Sequence, residues 1–428
     1  MRYVLDAGVY KSLYVDAYYS GANYLRRRIR DHRVQFEART ARAGTDYELK
    51  SQWQHRDLAA TTSNAQLRVF TGTPNPDGTQ LLDTALDGGT SELVASHRIG
   101  RDRLRTGISS TLQHFVDTSV RPVLPDTRTT SGAAFGIADA RRGALALSSA
   151  VRIDAVRYSA NFASTGGHVQ RNFRGVSGSV RAAVDMPRDV TLSLEGARSW
   201  RPPGVAELFA TSLAPTNSRY LTGDTGLRAE QGFGVEGGAE WNASRAQLAA
   251  HAYTRRVDHW IGIDPGGLSY AGLLVPRYSS SDADLLGAEA SATLQVVNAL
   301  KLEGHFELAR GYYANTPAPL PLMLPPRWRL ATELSHPNQR DHTIITLRVE
   351  ADGTERLSRP GPGEYEVPAF VLVHAGMVIE RPGTSGTHRL SIAVRNVANT
   401  YYSIYPSYYP LRADGAERSF EVRFSFDR

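Results

Sequence analysis

The chain has 428 residues, 41% of them hydrophobic, with a mean hydropathy of −0.34, a formal net charge of +6 and no cysteine. No run approaches the roughly 18 apolar residues that a membrane-spanning helix needs, and the missing cysteine excludes disulfide frameworks, thiolate catalysis and thiolate zinc sites. Barrel strands show only half their side chains to lipid, so the same composition leaves a membrane β-barrel open.

Arginine carries the charge, since lysine occurs only at Lys11, Lys50 and Lys301. A nucleic-acid binder concentrates such charge on one helix or face. These arginines recur at strand spacing, as in Arg327 and Arg329 or Arg389 and Arg395, and that patterning argues against nucleic acid as a partner. The chain opens Met1-Arg2-Tyr3-Val4-Leu5-Asp6, with neither the apolar stretch nor the small-residue cleavage site of an export signal. Either the protein is not exported or the chain begins downstream of its true start.

Period-two alternation runs from end to end and predicts an all-β protein without convincing helix. Val34, Phe36 and Ala38 share one face, with Arg33, Gln35, Glu37 and Arg39 on the other. In the first half, strands are expected at Arg28–Arg39, Tyr47–Leu58, Ala65–Thr71, Glu92–Gly100, Arg103–Val116, Ala144–Phe162 and Gly175–Met186. From Asp185 onward the connections alternate in length. The short ones are Met186–Asp189, Asn242–Arg245, Val297–Ala299, His336–Asp341 and Arg381–Thr387. The long ones are Trp200–Glu230, Ile263–Asp284, Tyr313–Pro326, Ala351–Tyr365 and Asn399–Glu417. Short turns at one end and long loops at the other mark an outer-membrane barrel, and many of the second faces are charged, which suits a wet lumen better than the interior of a sandwich. The expected total is roughly 16–19 strands, an antiparallel transmembrane β-barrel. Tyrosines gather at expected strand ends, as at Tyr312, Tyr313, Tyr401 and Tyr402, where an interfacial girdle would place them. The last strand puts Phe420, Val422, Phe424 and Phe426 on one face and Glu421, Arg423 and Ser425 on the other.

The long excursion after Val190–Ala197 carries a family signature. Arg201-Pro202-Pro203 with Glu207-Leu208-Phe209 resembles the R-x-P-x-x-x-E-L-F/Y segment of TonB-dependent outer-membrane receptors. Gly223-Asp224, Leu227 and Glu230 are similar to the G-N/D-x-x-L-x-x-E that follows it there. Pro319–Arg327 resembles the family's proline-rich loop, and Asn396 with Tyr401 resembles its closing N-L-x-D/N-x-x-Y before the final strand. These landmarks occur in family order from about Ser177 to Phe426. The resemblance implies a 22-stranded receptor barrel in a Gram-negative outer membrane, importing a scarce nutrient, first of all a ferric siderophore or another metal chelate. It implies an N-terminal plug and a TonB energy-coupling complex reached through a region ahead of that plug. It also implies assembly by the barrel-assembly machinery and contact with outer-membrane lipid and lipopolysaccharide. Residues 1–428 are expected to be the barrel portion alone. Glu417-Arg418 departs from the family's Gly-Arg before the last strand, and Phe426 is followed by Asp427-Arg428 rather than standing last.

Sharper chemical readings fail on context. Gly232-Phe233-Gly234-Val235-Glu236-Gly237 fits a dinucleotide pattern, but that chemistry needs a helix after the glycines, and here the run lies inside an alternating strand. The twelve histidines show no ligand spacing, and Asp282 and Asp284 read as a turn rather than a calcium loop. No Ser/His/Asp set is assembled, so no catalytic residue, cofactor or metal ligand is assigned. The competing readings are a passive porin-like channel and a soluble all-β binding module.

Overall fold

The structure is a computed structural model that describes residues 2–17, 24–62, 79–119, 122–162, 166–214, 219–264, 269–270, 273–274, 277–362, 364–383, 385–404 and 413–427. Strands β1 (Arg2–Ala17), β2 (Tyr24–Arg42), β3 (Thr45–Thr62), β4 (Thr79–Ile99), β5 (Asp102–Asp117), β6 (Asp126–Arg142), β7 (Leu145–Phe162), β8 (Gly167–Met186) and β9 (Val190–Arg201) form the first half. A short helix α1 (Val205–Phe209) and the strands β10 (Thr211–Ala214) and β11 (Arg219–Thr222) follow. Next come β12 (Glu230–Ala243), β13 (Ala246–Asp264), the two-residue strands β14 (Ser269–Tyr270) and β15 (Leu273–Leu274), β16 (Arg277–Val297) and β17 (Leu300–Tyr313). The chain ends with β18 (Arg327–Pro337), β19 (Ile344–Thr354), β20 (Phe370–Gly383), β21 (Gly386–Arg395), the short β22 (Ser403–Ile404) and β23 (Ala413–Asp414), and β24 (Ser419–Asp427).

All the long strands belong to one sheet of 20, and setting aside the short β10 and β11 leaves 18 that pair antiparallel with their neighbours in chain order. This up-and-down order is what short turns and strand-long alternation demand, because each strand finds its partner beside it. The expected range of 16–19 strands contains the observed number. Among the described residues no ladder joins β1 to β24. Nor, among the described residues, is any helix long and apolar enough to cross a membrane.

One face of the wall is apolar and points outward. Ile108 and Leu112 on β5, Ile153 on β7, Val180 on β8, Leu194 on β9, Phe233 on β12 and Leu330 on β18 all lie exposed on it. The register keeps them together across strands: Ile153 stands opposite Val176, and Ile108 opposite Leu93. The other face carries the charge. Strands of 16–21 residues are common here, while about 9–11 tilted residues cross a hydrocarbon core. Part of the wall therefore stands clear of any apolar band.

The two rims differ as the loop lengths require. At one rim β2–β3, β4–β5, β6–β7, β8–β9, β12–β13, β16–β17, β18–β19 and β20–β21 are joined by short turns. The first of these uses Ala43 (φ 51°) and Gly44 (φ 77°), the two left-handed positions that match strand twist in a tight hairpin. The other rim carries the long connections, above all the one between β9 and β12.

The structure corrects several boundaries. Arg2–Ala17 and Asp126–Arg142 are strands that were not expected, and β8 begins at Gly167 rather than Gly175. β6 opens with Thr127, Thr129, Thr130 and Ser131 and continues largely with alanine and glycine, so its outward face lacks the large apolar side chains that announce a strand. The expected strand at Ala65–Thr71 lies outside the described residues. Asp282 and Asp284 sit on β16, not in a turn, because the ladder with β13 continues to Asp264–Arg277. The glycine run 232–237 lies within β12, and no helix follows it.

Candidate functional site

The excursion between β9 and β12 is not a string of turns. Arg201 ends β9, and its guanidinium bridges two carboxylates: Nε and Nη2 donate to Glu230 at 2.6 and 2.8 Å, and Nη1 donates to Glu207 at 2.9 and 3.1 Å. Both glutamates are themselves tied to backbone. Glu207 accepts the Gly204 amide at 2.6 Å, which caps α1 from three residues in, and Glu230 accepts the Ile261 amide of β13 at 2.7 Å. One arginine thus fixes the departure of the chain from β9, the helix start, its return at β12 and the top of β13. Such charge-assisted forks are strong and directional.

Beneath the clamp lies the largest buried apolar cluster described. Leu208 and Phe209 of α1 are each 1% exposed and pack with Tyr158, Phe173, Leu227 and Ile261. Phe209 meets Tyr158 and Phe162 edge-on at ring distances of 6.5 and 6.3 Å, a favoured geometry for aromatic pairs. Pro203 is fully buried as well. The five residues of α1 are too few to be stable alone, and tertiary burial of Leu208 and Phe209 is what holds them.

Gly223 closes the block. A Cβ there would stand 2.6 Å from the backbone of Leu208 and of Phe209, so only glycine lets the two segments touch. The contact is used: Gly223 N donates to Ala210 O at 2.7 Å and Asp224 N to Glu207 O at 2.8 Å. Asp224 accepts the Gly226 amide at 2.7 Å and Arg277 of β16 at 2.8 Å. Burial alone would raise its pKa, but the Gly226 amide and the Arg277 guanidinium outweigh that and hold it below the usual carboxylate value. Arg171 of β8 donates to the carbonyl oxygens of Leu227, at 2.9 Å, and Thr225, and lies over the Phe173 ring. Sequence reading missed Arg171, Tyr158 and Arg277. The signal for Arg171 was its place on the charged face of β8, two residues from Phe173.

Two other landmarks make separate blocks. In the proline-rich connection Leu320 is fully buried, and its amide donates to Gly311 O at 2.9 Å. Glu364 of the next long connection accepts the amides of Leu322 and Gly361 at 2.6 and 2.9 Å, so the two loops support each other. At the end of β21, Asn396 is buried with φ 50°. Its side chain accepts the Thr400 amide at 2.8 Å and donates to Thr400 O and Ala416 O at 2.9 and 3.3 Å. Asn396 thereby stitches the connection between β21 and β24. Tyr401 is 74% exposed. Phe420, Val422, Phe424 and Phe426 share one face of β24, where the first three stand opposite Val394, Ile392 and Leu390 of β21. The structure therefore gathers Arg201, Pro203, Glu207, Leu208, Phe209, Gly223, Asp224, Leu227 and Glu230 into one unit and keeps Asn396 and the last strand apart from it.

The inner face is a ladder of alternating charge. Lys301 lies 3.2 Å from both Glu303 and Glu333, Arg348 reaches Glu350 at 2.8 Å and also Glu303, and Arg329 meets Asp352 at 2.6 Å. At the first strands Asp31 is buried between Arg33 at 3.0 Å and Arg56 at 2.7 Å. Of the two ways to read the lumen arginines, as anion attractors or as partners of neighbouring acids, these pairings support the second. No group of histidine and acidic side chains suited to a metal occurs among the described residues. Beside the block, a polar cavity of about 450 Å³ opens at the loop rim between Asp224 and Arg228 on one side and His259, Asp264, Arg277, Ser279 and Ser280 on the other.

Residues 3–397 match the model of the TonB dependent receptor-like β-barrel. No curated protein sequence matches the chain. Among solved structures, the copper transporter OprC is 16% identical with a TM-score of 0.76, over 100% of this chain and 69% of that one. The ferric-catecholate import receptor Fiu from K12 E. coli is 14% identical with a TM-score of 0.64, over 95% of this chain and 65% of that one. The FrpB iron transporter from Neisseria meningitidis (F5-1 variant) is 12% identical with a TM-score of 0.69, over 98% and 68%. The chain thus spans about two thirds of the length of these structures.

Proposed function

We propose that this chain, which belongs to the TonB-dependent receptor β-barrel family, is the outer-membrane barrel of a receptor that imports a scarce metal chelate, with ferric siderophores the first candidates. The observation that carries the reading is the family match over residues 3–397, lying on 18 strands whose connections sort into a turn rim and a loop rim. The likeness to structures described as copper and iron transporters supports cargo of that class.

In this reading the parts divide as follows. Residues 1–428 form one barrel domain, and a plug elsewhere in the whole protein fills the lumen. Energy arrives from the inner membrane through TonB, and the barrel-assembly machinery engages β24, whose apolar face of Phe420, Val422, Phe424 and Phe426 suits insertion. The Arg201 block holds the base of the longest connection rigid, while ligand contacts come from the loop rim. The polar cavity beside Asp224 offers carboxylates, guanidiniums, an imidazole and hydroxyls, groups able to hydrogen-bond a polar chelate.

The test is uptake. Cells lacking their own chelate receptors, and expressing the whole protein, should accumulate radiolabelled ferric chelate only while the inner-membrane proton gradient and TonB are intact. Accumulation that continues after the gradient is collapsed would make the barrel a passive channel.

A further inference from the structure

At the turn rim the β4–β5 hairpin gathers arginines on the inner face of the wall. Ile108 of β5 and Leu93 of β4 lie exposed on the outward face and stand opposite each other. Strand alternation therefore turns Arg103, Arg105 and Gly107 of β5, with Ser96 and Arg98 of β4, inward. Arg98 stands directly opposite Arg103, and Ser96 opposite Arg105. Arg101 lies in the turn between the strands. Arg98, Arg101 and Arg103 are exposed, and among the described residues they make no hydrogen bond or ion pair. Arg105 reaches Asp139 only at 3.9 Å, and its Nε is buried without a hydrogen-bond partner.

Like charges directly opposite on neighbouring strands weaken a sheet, and a buried N–H without an acceptor costs more. The acids nearby relieve neither. Asp102, in the same hairpin, is held by Arg142 at 2.6 and 2.7 Å. Asp139 accepts the Ser148 hydroxyl at 2.7 Å, and Glu48 pairs with Arg39 at 2.7 Å. Asp46 stands opposite Ser96, diagonal to Arg98, and makes no pair with it. In the ladder around Arg348, by contrast, each cation has its acid. Beside the hairpin arginines a cavity of about 780 Å³ opens over Val94, Phe135 and Ile137. The Phe135 ring covers Gly107, where a Cβ would stand 2.4 Å from it. The corner thus presents unmatched positive charge beside an apolar floor.

We propose that this corner seats a carboxylate-bearing segment of the plug, its acid among Arg98, Arg103 and Arg105 and an apolar side chain against Phe135 and Ile137. The inference rests on the reading above that a plug fills the lumen of the whole protein. Guanidiniums take carboxylate oxygens in a bidentate fork. One acid placed here separates two like charges and gives the Arg105 Nε an acceptor, in a corner that the plug shields from water. The inward placement selects the occupant. Membrane lipid lies on the opposite face of the wall, and a separate protein would have to enter a lumen that the plug already fills.

The test follows plug release in the whole protein, its fold checked by a heat-dependent shift in electrophoretic mobility. In a planar bilayer, release is read as the urea concentration at which the pore begins to conduct. The combined variant Arg98→Gln, Arg103→Gln, Arg105→Gln should open at a urea concentration lower by at least about 1 M. Raising salt from about 0.05 to 0.5 M should lower the wild-type midpoint and leave that of the variant in place. Arg340→Gln, on another turn of the same rim, should match the wild type. Equal midpoints for the combined variant and the wild type, or a wild-type midpoint that ignores salt, overturn the proposal. In a second measurement, a benzophenone side chain at Phe135 should cross-link on illumination to a peptide of the same polypeptide that lies outside residues 1–428 and bears aspartate or glutamate. Cross-linking to a second protein, or only within residues 1–428, overturns the proposal, and this measurement decides if the combined variant does not fold. A wild type that conducts freely without urea holds no plug and refutes the receptor reading itself. A closed wild type whose release ignores the three arginines refutes the docking site alone.

Discussion

The Arg201 clamp and the lumen ladder around Arg348 are built from the same chemistry, an arginine among glutamates, and stand in different surroundings. Around Arg201 the glutamates also accept backbone amides, and the unit rests on Leu208, Phe209 and Pro203, which water does not reach. Around Arg348 the partners are side chains of its own strand and of β17 and β18, about a third exposed or less, open to the lumen. Removing one partner leaves an uncompensated charge beside packed apolar groups in the first case, and a group that water can solvate in the second. The clamp is therefore expected to govern local structure, and the ladder to be replaceable piece by piece.

That contrast can be broken by substitution. The largest effect is expected from Gly223→Ala, which drives a methyl into the backbone of Leu208 and Phe209. It should cost about 3 kcal/mol of local stability and make residues 202–229 susceptible to protease in folded, detergent-held protein. If the variant resists protease like the wild type, the segment is not packed as described. Arg201→Ala comes next, at about 2 kcal/mol once the half-exposure of the guanidinium is allowed for, with the same protease-sensitive segment. Arg348→Ala should cost about 0.5–1 kcal/mol, read as a small fall in the temperature of the mobility shift. A cost for Arg348→Ala equal to that for Arg201→Ala would erase the distinction.

The smallest effect concerns pH. Burial would raise the Asp224 pKa, but the Gly226 amide and Arg277 together place it below the usual value. A carboxylate depressed in the folded state contributes its stability fully above its unfolded pKa of about 3.9, and loses it as pH falls through the folded value. Protease resistance of 202–229 should therefore be flat from about pH 5 to 8 and decline only in stronger acid. Asp224→Asn should lessen that acid dependence. A variant that keeps it would place the titrating group elsewhere.

Much of the architecture was legible because period-two alternation and loop length are local properties. The turn rim and loop rim, the glycine run of β12 and the shared face of Phe420–Phe426 all follow from them. Less legible were β1 and β6, where alternation is blurred by residues such as Ser131, Ala133 and Ala134 that suit either face. The Arg201 block was visible as a motif but not as a mechanism. Arg201 and Glu230, 29 positions apart in the chain, meet with Glu207 only when the connection folds back, and their companions Arg171, Tyr158 and Arg277 lie on three other strands. Only the register sets Arg98 opposite Arg103.

The central claim is that the two rims face opposite sides of a membrane. Because these 428 residues carry no cysteine, a single thiol placed among them is the barrel's own, and its labelling is read against the parent protein without it. Thr225→Cys places one at the loop rim and Arg340→Cys one in the turn between β18 and β19, both at exposed positions. In intact cells expressing the whole protein, a membrane-impermeant maleimide should label Thr225→Cys at once and Arg340→Cys only after the outer membrane is opened. Equal labelling of the two in intact cells, or the reverse order, would contradict the account.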